Sequence, residues 1–287
     1  MIYLLLSILA STLIIVFFKL FEKYNVNTIQ AIVFNYYSAF LCGIFLYDSK
    51  INISEITSSI WFYGAIALGF LFILIFNLMA LTTQRNGLSV ASVATKMSVV
   101  IPILFGIIVY KEQAGLQKIT GIVLALIAVY LTAVKSNANF NLRKGLLLPF
   151  AVLVGSGIID TSIKYIETTY LASNGIPIFS ATIFGCAALI GTTILFSKSL
   201  KKGFKFDFKS LFGGLILGVI NYGSIYFLLK ALQIEGLESS SIFTVNNVAI
   251  VMLSTIVGLI LFKEHISKKN WIGIVIAVIS ILLVTLA

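Results

Sequence analysis

The amino-acid sequence predicts an all-α integral membrane protein whose ten transmembrane helices form two inverted five-helix repeats. Three observations carry this expectation. Of 287 residues, 60% are hydrophobic and 10% charged, with a mean hydropathy of +1.09, too little polar surface to clothe a water-soluble domain of this size. The apolar residues gather into runs of about 20, the length that crosses a hydrocarbon core of about 30 Å as a helix, whereas a barrel strand needs only ~10. Finally, a short charged turn and the apolar run after it are written twice. "YKEQAGLQKITGIV" at 110–123 returns as "FKEHISKKNWIGIV" at 262–275, so that Lys111, Glu112 and Gly121 match Lys263, Glu264 and Gly273 at a constant shift of 152.

The expected spans lie at roughly 2–20, 27–47, 58–83, 87–109 and 116–134, then at about 144–167, 177–197, 208–233, 238–262 and 269–286. The first lacks a basic leader and a small-residue cleavage site and is expected to be a retained helix rather than a signal peptide. Short connections make consecutive helices antiparallel neighbours. The repeat also extends beyond the turn. "ASTLIIVFFKLFE" at 10–22 lies on "GSGIIDTSIKYIE" at 155–167, bringing Ser11, Lys19 and Glu22 onto Ser156, Lys164 and Glu167. "AL…NGLSVASV" from Ala80 likewise resembles "AL…EGLESSSI" from Ala231. Residues 1–138 are therefore expected to form the first repeat and 139–287 the second. Five crossings leave the chain on the opposite side, so the second repeat enters upside down. Inverted halves of this kind build many secondary transporters, with the substrate site near the bilayer midplane.

The formal net charge of +10 does not point to a nucleic-acid partner, because the Lys and Arg residues sit in short connections, where they set topology and meet anionic lipid. The densest group, "KSLKKGFKFDFK" at 198–209, is expected to face lipid. Basic residues concentrate after the odd-numbered spans, which by the positive-inside rule places both termini outside. Cys42 and Cys186 fall inside apolar runs, and His265 stands in a loop beside Glu264. No disulfide, metal site or cofactor is expected of them.

Few ionisable residues lie deep in a span. Lys96 is about nine residues into span four, ~14 Å at 1.5 Å per residue, and an intramembrane lysine costs roughly 2.5–3.5 kcal/mol on insertion scales. Asp160 and Lys164 are four apart on one face of span six. Lys164 can snorkel or pair with Asp160, whereas Lys96 has no carboxylate within reach on its own helix. Lys96 and Asp160 are expected to line a central polar cavity. Candidates to join them are Asn35 and Tyr36 (with Tyr37) in span two, Asn221 and Tyr222 (with Tyr226) in span eight, and Asn246 and Asn247 in span nine, where the repeat sets them opposite Lys96. Asn77 stands in span three. Each amide alone serves equally well as helix–helix glue. Pro102 removes one backbone hydrogen bond in mid-span and is a candidate gating point. "GGLILG" at 213–218 and "GSG" at 155–157 allow close helix approach.

Two five-helix repeats, each closing with a Glu before a Gly-containing last helix (Glu112 with Gly121, Glu264 with Gly273), resemble the drug/metabolite transporter superfamily, and its EamA-type ten-helix branch most closely. The resemblance implies a secondary carrier of the bacterial inner membrane. It would move a small polar or amphipathic metabolite, amino-acid-like or an organic anion, by alternating access, with proton-coupled export as one form. It also implies that the two glutamates are structural, and it favours cytoplasmic termini. The implied partners are a small-molecule substrate, membrane lipid and a proton as candidate coupling ion, in a monomer or homodimer. A membrane-embedded lipid-modifying enzyme or a channel is the alternative. The enzyme would need paired carboxylates or an activated nucleophile, and the channel rings of charge or filter loops. The spans contain neither set.

Overall fold

The structure, a computed structural model, describes residues 1–47, 51–109, 111, 115–133, 142–171, 175–203, 206–232 and 239–285. Glu112 lies outside the described residues. The chain is all-α, with helices α1 (Ile2–Lys23), α2 (Thr28–Phe45), α3 (Ile53–Ser58), α4 (Ile60–Asn86), α5 (Leu88–Met97), α6 (Val100–Val109), α7 (Leu116–Ala133), α8 (Leu142–Tyr170), α9 (Ile176–Lys202), α10 (Phe208–Leu232), α11 (Ser239–Phe262) and α12 (Lys268–Thr285). Among the described residues ten stretches are long and apolar enough to cross a membrane, α5 and α6 together making the fourth. They match the expected spans to within a few residues, because a bilayer satisfies backbone polar groups only inside helices or closed barrels.

The chain divides into two compact units. The first comprises Met1–Leu20, Leu78–Ile158 and Gly223–Ala287, the second Phe21–Asn77 and Ile159–Tyr222. Each draws helices from both the first and the second half of the chain.

In the first unit α7 packs along α12, its counterpart at the 152-residue shift. A Cβ on Gly121 would meet Leu283 and Val284, and one on Gly273 would meet Leu131 and Thr132. The contacts are reciprocal, since 131 and 132 are the repeat equivalents of 283 and 284. The start of each helix therefore meets the end of the other, and the pair is antiparallel. Ser280 Oγ donates to the Gly121 carbonyl at 2.7 Å, and Asn270 Nδ2 donates to the carbonyls of Leu131 and Thr132 at 2.9 and 2.8 Å. Lys111 at φ 55° and Lys263 at φ 51° both adopt a left-handed conformation uncommon for non-glycine residues. α5 and α11 are a second antiparallel pair, joined where the Ser254 hydroxyl donates to Ser92 Oγ at 2.7 Å. Val93, Met97, Ala125, Ala128, Val251, Ala277 and Ile281, all 0% exposed, form the core of this unit.

In the second unit α2 and α9 make the third antiparallel pair, with Gly43 against Ala181, Phe40 against Gly185 and Val33 against Gly191. α10 runs parallel to α2. Gly214 and Gly218 lie on the carbonyls of Ala31 and Asn35, the close approach expected of "GGLILG", and Ser38 Oγ donates to the Leu215 carbonyl at 2.9 Å.

At one end of this unit two helix starts share a cap. The Asn27 side chain accepts from Gln30 N, while Asp207 accepts from Asn27 N at 3.3 Å, Lys209 N at 3.0 Å and the Ser210 hydroxyl at 2.6 Å. The Ser210 hydrogen bond, helped by these backbone N–H groups and opposed by partial burial, holds the Asp207 carboxyl below the ordinary carboxylate range. A depressed folded-state pKa contributes stability that is present above the unfolded value of about 4 and lost as pH falls through the folded value. Asp207→Ala is therefore expected to melt below the wild type at pH 7, the gap closing as pH drops under about 4. Melting curves of the two proteins over that range test it, and a gap independent of pH refutes it.

Candidate functional site

In the first unit the fourth span is interrupted, and the break places Lys96. The proline ring of Pro102 displaces the carbonyl four residues back, and its nitrogen carries no hydrogen to bond it. Ser98 is that residue. Its carbonyl instead accepts from Ile101 N at 2.9 Å, and Ile103 N reaches Val99 O at 3.4 Å. The Ser98 hydroxyl turns back to the Thr95 carbonyl at 2.6 Å. α5 ends at Met97 and α6 begins at Val100. Half-buried Lys96 stands in the last turn of α5, where a cation suits the carbonyl end of a helix. A Cβ on Gly157 of α8 would strike Ile101 and the Ser98 carbonyl, so α8 closes directly onto the break.

Lys96 follows Ser92 by one turn, on the side of α5 that meets α11. Asn247, half-buried, precedes Val251 and Ser254 by one and two turns, on the side of α11 that meets α5. Both residues thus lie on one seam, level with the break. Asn246 faces elsewhere. It shares a side with Ile242 and Ile250, which pack with Leu4 and Ile8 of α1 and Ala231 of α10. It is 2% exposed, and its Oδ1 has no hydrogen-bond partner among the described residues.

The start of α5 is held from far along the chain. Its N-cap is Gly87, at φ 109°, with no side chain to satisfy the first N–H groups. The Glu264 carboxylate does so instead, accepting from Leu88 N at 2.8 Å. Both Gly87 and Gly258 leave room for it, since a Cβ at either would lie within 3.0 Å of Glu264 Oε2. Glu264→Ala is expected to destabilise the fold by about 1–2 kcal/mol, as loss of a cap does. Chemical or thermal unfolding reads this directly, and unchanged stability would remove the cap from the account.

In the second unit Asn35 is 0% exposed, and among the described residues neither its Oδ1 nor its Nδ2 has a hydrogen-bond partner. Leaving such a group buried costs about 1–3 kcal/mol. Tyr36, also 0% exposed, donates its hydroxyl to the Phe72 carbonyl at 2.8 Å and packs against Phe72, Phe76 and Phe184, so its polar atom is spent inside the core. Asn221 is 4% exposed and Tyr222 half-buried. Asp160 and Lys164 are exposed one turn apart on α8, which continues to Tyr170. Asn77 donates to the Ile73 carbonyl of its own helix at 2.6 Å instead of bridging helices. The Ser92–Ser254 contact and the Glu264 cap are absent from the sequence expectations. A glycine at the head of α5 was the one local sign of the second.

The EamA-like transporter family matches residues 1–134, and an uncharacterized protein of Haemophilus influenzae is 32% identical over 284 residues, covering 96% of this chain and 94% of that protein. The chain belongs to the EamA-like transporter family. A crystal structure aligns with this EamA family member at a TM-score of 0.57, over 98% of this chain and 97% of that one. At 13% identity the likeness is one of fold alone. As an EamA family member the chain is an integral membrane protein of the drug/metabolite transporter type, and its lipid environment and small-molecule cargo follow from that membership.

Proposed function

We propose that this EamA family member is a secondary transporter that carries a small polar or amphipathic metabolite, amino-acid-like or an organic anion, across the bacterial inner membrane by alternating access. The observation that supports it is the antiparallel pairing of counterpart helices: α2 with α9, α5 with α11 and α7 with α12. Repeats 1–138 and 139–287, inverted with respect to each other, account for all three pairs. Halves that exchange their conformations open the same protein to opposite sides at equal energy, which is the economy of an inverted repeat.

In this reading Lys96 holds the anionic group of the substrate, with Asn247 on the same seam. The break at Ser98–Val99, set by Pro102, gives the fourth span a point at which to bend. Asp160, one turn from Lys164 on α8, exchanges the coupling proton. Asn35, Asn221, Tyr222 and Asn246 supply hydrogen-bonding groups. The orphaned amide atoms of Asn35 and Asn246 are satisfied by cargo, by water or in another state of the cycle. Tyr36 serves by fixing α2.

The test is uptake of amino-acid and organic-anion panels into proteoliposomes, with and without a pH gradient. Saturable uptake of one class, accelerated by the gradient and abolished by Lys96→Ala, is expected. Non-saturating flux that ignores substrate identity would replace the carrier with a pore.

A further inference from the structure

The end of α9 in the second unit has chemistry that transport leaves unused. A cavity of about 290 Å³ opens there, lined by Thr193, Ile194, Ser197 and Lys198. The apolar span of this helix ends at Lys198, so the cavity lies at the depth of lipid headgroups. Lys198 is exposed and, among the described residues, has no carboxylate partner. Residues 198–209 carry five lysines against one acid, Asp207, whose oxygens are taken up by Ser210 and by the N–H groups of Asn27 and Lys209. The Thr193 and Ser197 hydroxyls donate only to carbonyls of their own helix, Ile190 and Thr193, at 2.7 and 2.8 Å. Such a bond is readily exchanged for a stronger acceptor. Phe196 and Leu200, 63% and 73% exposed, provide apolar surface beside it.

We propose that this notch binds the headgroup of an anionic phospholipid. The Lys198 ammonium pairs with a phosphodiester oxygen, Ser197 and Thr193 donate to the phosphate, and the acyl chains run along Phe196 and Leu200. One cation beside two hydroxyls and an apolar flank suits a singly charged phosphodiester on a hydrocarbon tail. A free phosphate would leave the flank bare. The site does not depend on the identity of the transported substrate.

Native mass spectrometry of the detergent-purified full chain tests it, with phosphatidylglycerol, phosphatidylcholine of the same acyl chains, and inorganic phosphate as probes. The wild type is expected to retain phosphatidylglycerol over phosphatidylcholine. Lys198→Glu lowers phosphatidylglycerol retention at least about fivefold without changing that of phosphatidylcholine. Ser197→Val, which alters no charge, lowers it as well. Lys118→Glu, the same charge change at a half-buried position of α7, leaves it intact. Equal retention of the two lipids by the wild type overturns the proposal. So does an equal loss in Lys198→Glu and Lys118→Glu, full retention by Ser197→Val, or displacement of the lipid by inorganic phosphate.

Discussion

Gly273→Val melts roughly 3–10 °C below the wild type, and Gly121→Val falls by less. The two glycines are repeat equivalents, yet their surroundings differ in what can yield. A Cβ at 273 lies 2.8 Å from the backbone nitrogen of Thr132, while at 121 the tightest contact is the end of the Val284 side chain, with its backbone nitrogen at 3.3 Å. A side-chain end rotates away, but a helix backbone moves only with its whole helix. That movement is opposed by the Asn270 bonds to Leu131 and Thr132 and by the Ser280 bond to Gly121. Overpacking of this kind costs about 1–3 kcal/mol, a few degrees per kcal/mol in a chain of this size. Paired melting curves of the two variants decide the matter. If both melt with the wild type, the α7–α12 spacing is not set by these glycines.

Lys96→Met separates function from stability. Methionine has nearly the length of lysine and suits a hydrocarbon interior, where lysine carries an insertion cost of roughly 2.5–3.5 kcal/mol. The variant is therefore expected to melt at or above the wild-type temperature. Transport in proteoliposomes is expected to fall about 10- to 100-fold, since a hydrogen bond to a charged group contributes about 1.5–3 kcal/mol. Lys96→Arg, which keeps the charge, restores part of the rate. Full transport by Lys96→Met would leave the ammonium with a structural role. A fall in melting temperature matching the fall in rate would do the same.

The ten spans were legible because hydropathy and length suffice when the solvent is a bilayer. The break in the fourth span was legible in kind but not in position. Pro102 announces a missing hydrogen bond, yet the helix parts at Ser98–Val99, where the ring displaces a carbonyl and the Ser98 hydroxyl turns back to Thr95. The polar residues were legible as a set but not in their roles. Asn35 and Tyr36 are neighbours of similar polarity, and only packing leaves the amide of one without a partner while giving the hydroxyl of the other to Phe72.

Composition and run length alone thus determined an all-helical membrane protein, and the turn at 110–123 is written again at 262–275. Which faces of those helices meet was settled only in three dimensions. In lipid both sides of a spanning helix are apolar, so no amphipathic contrast marks the buried one. Contacts such as Glu264 with Leu88, 176 residues apart, depend on the whole chain having folded around them.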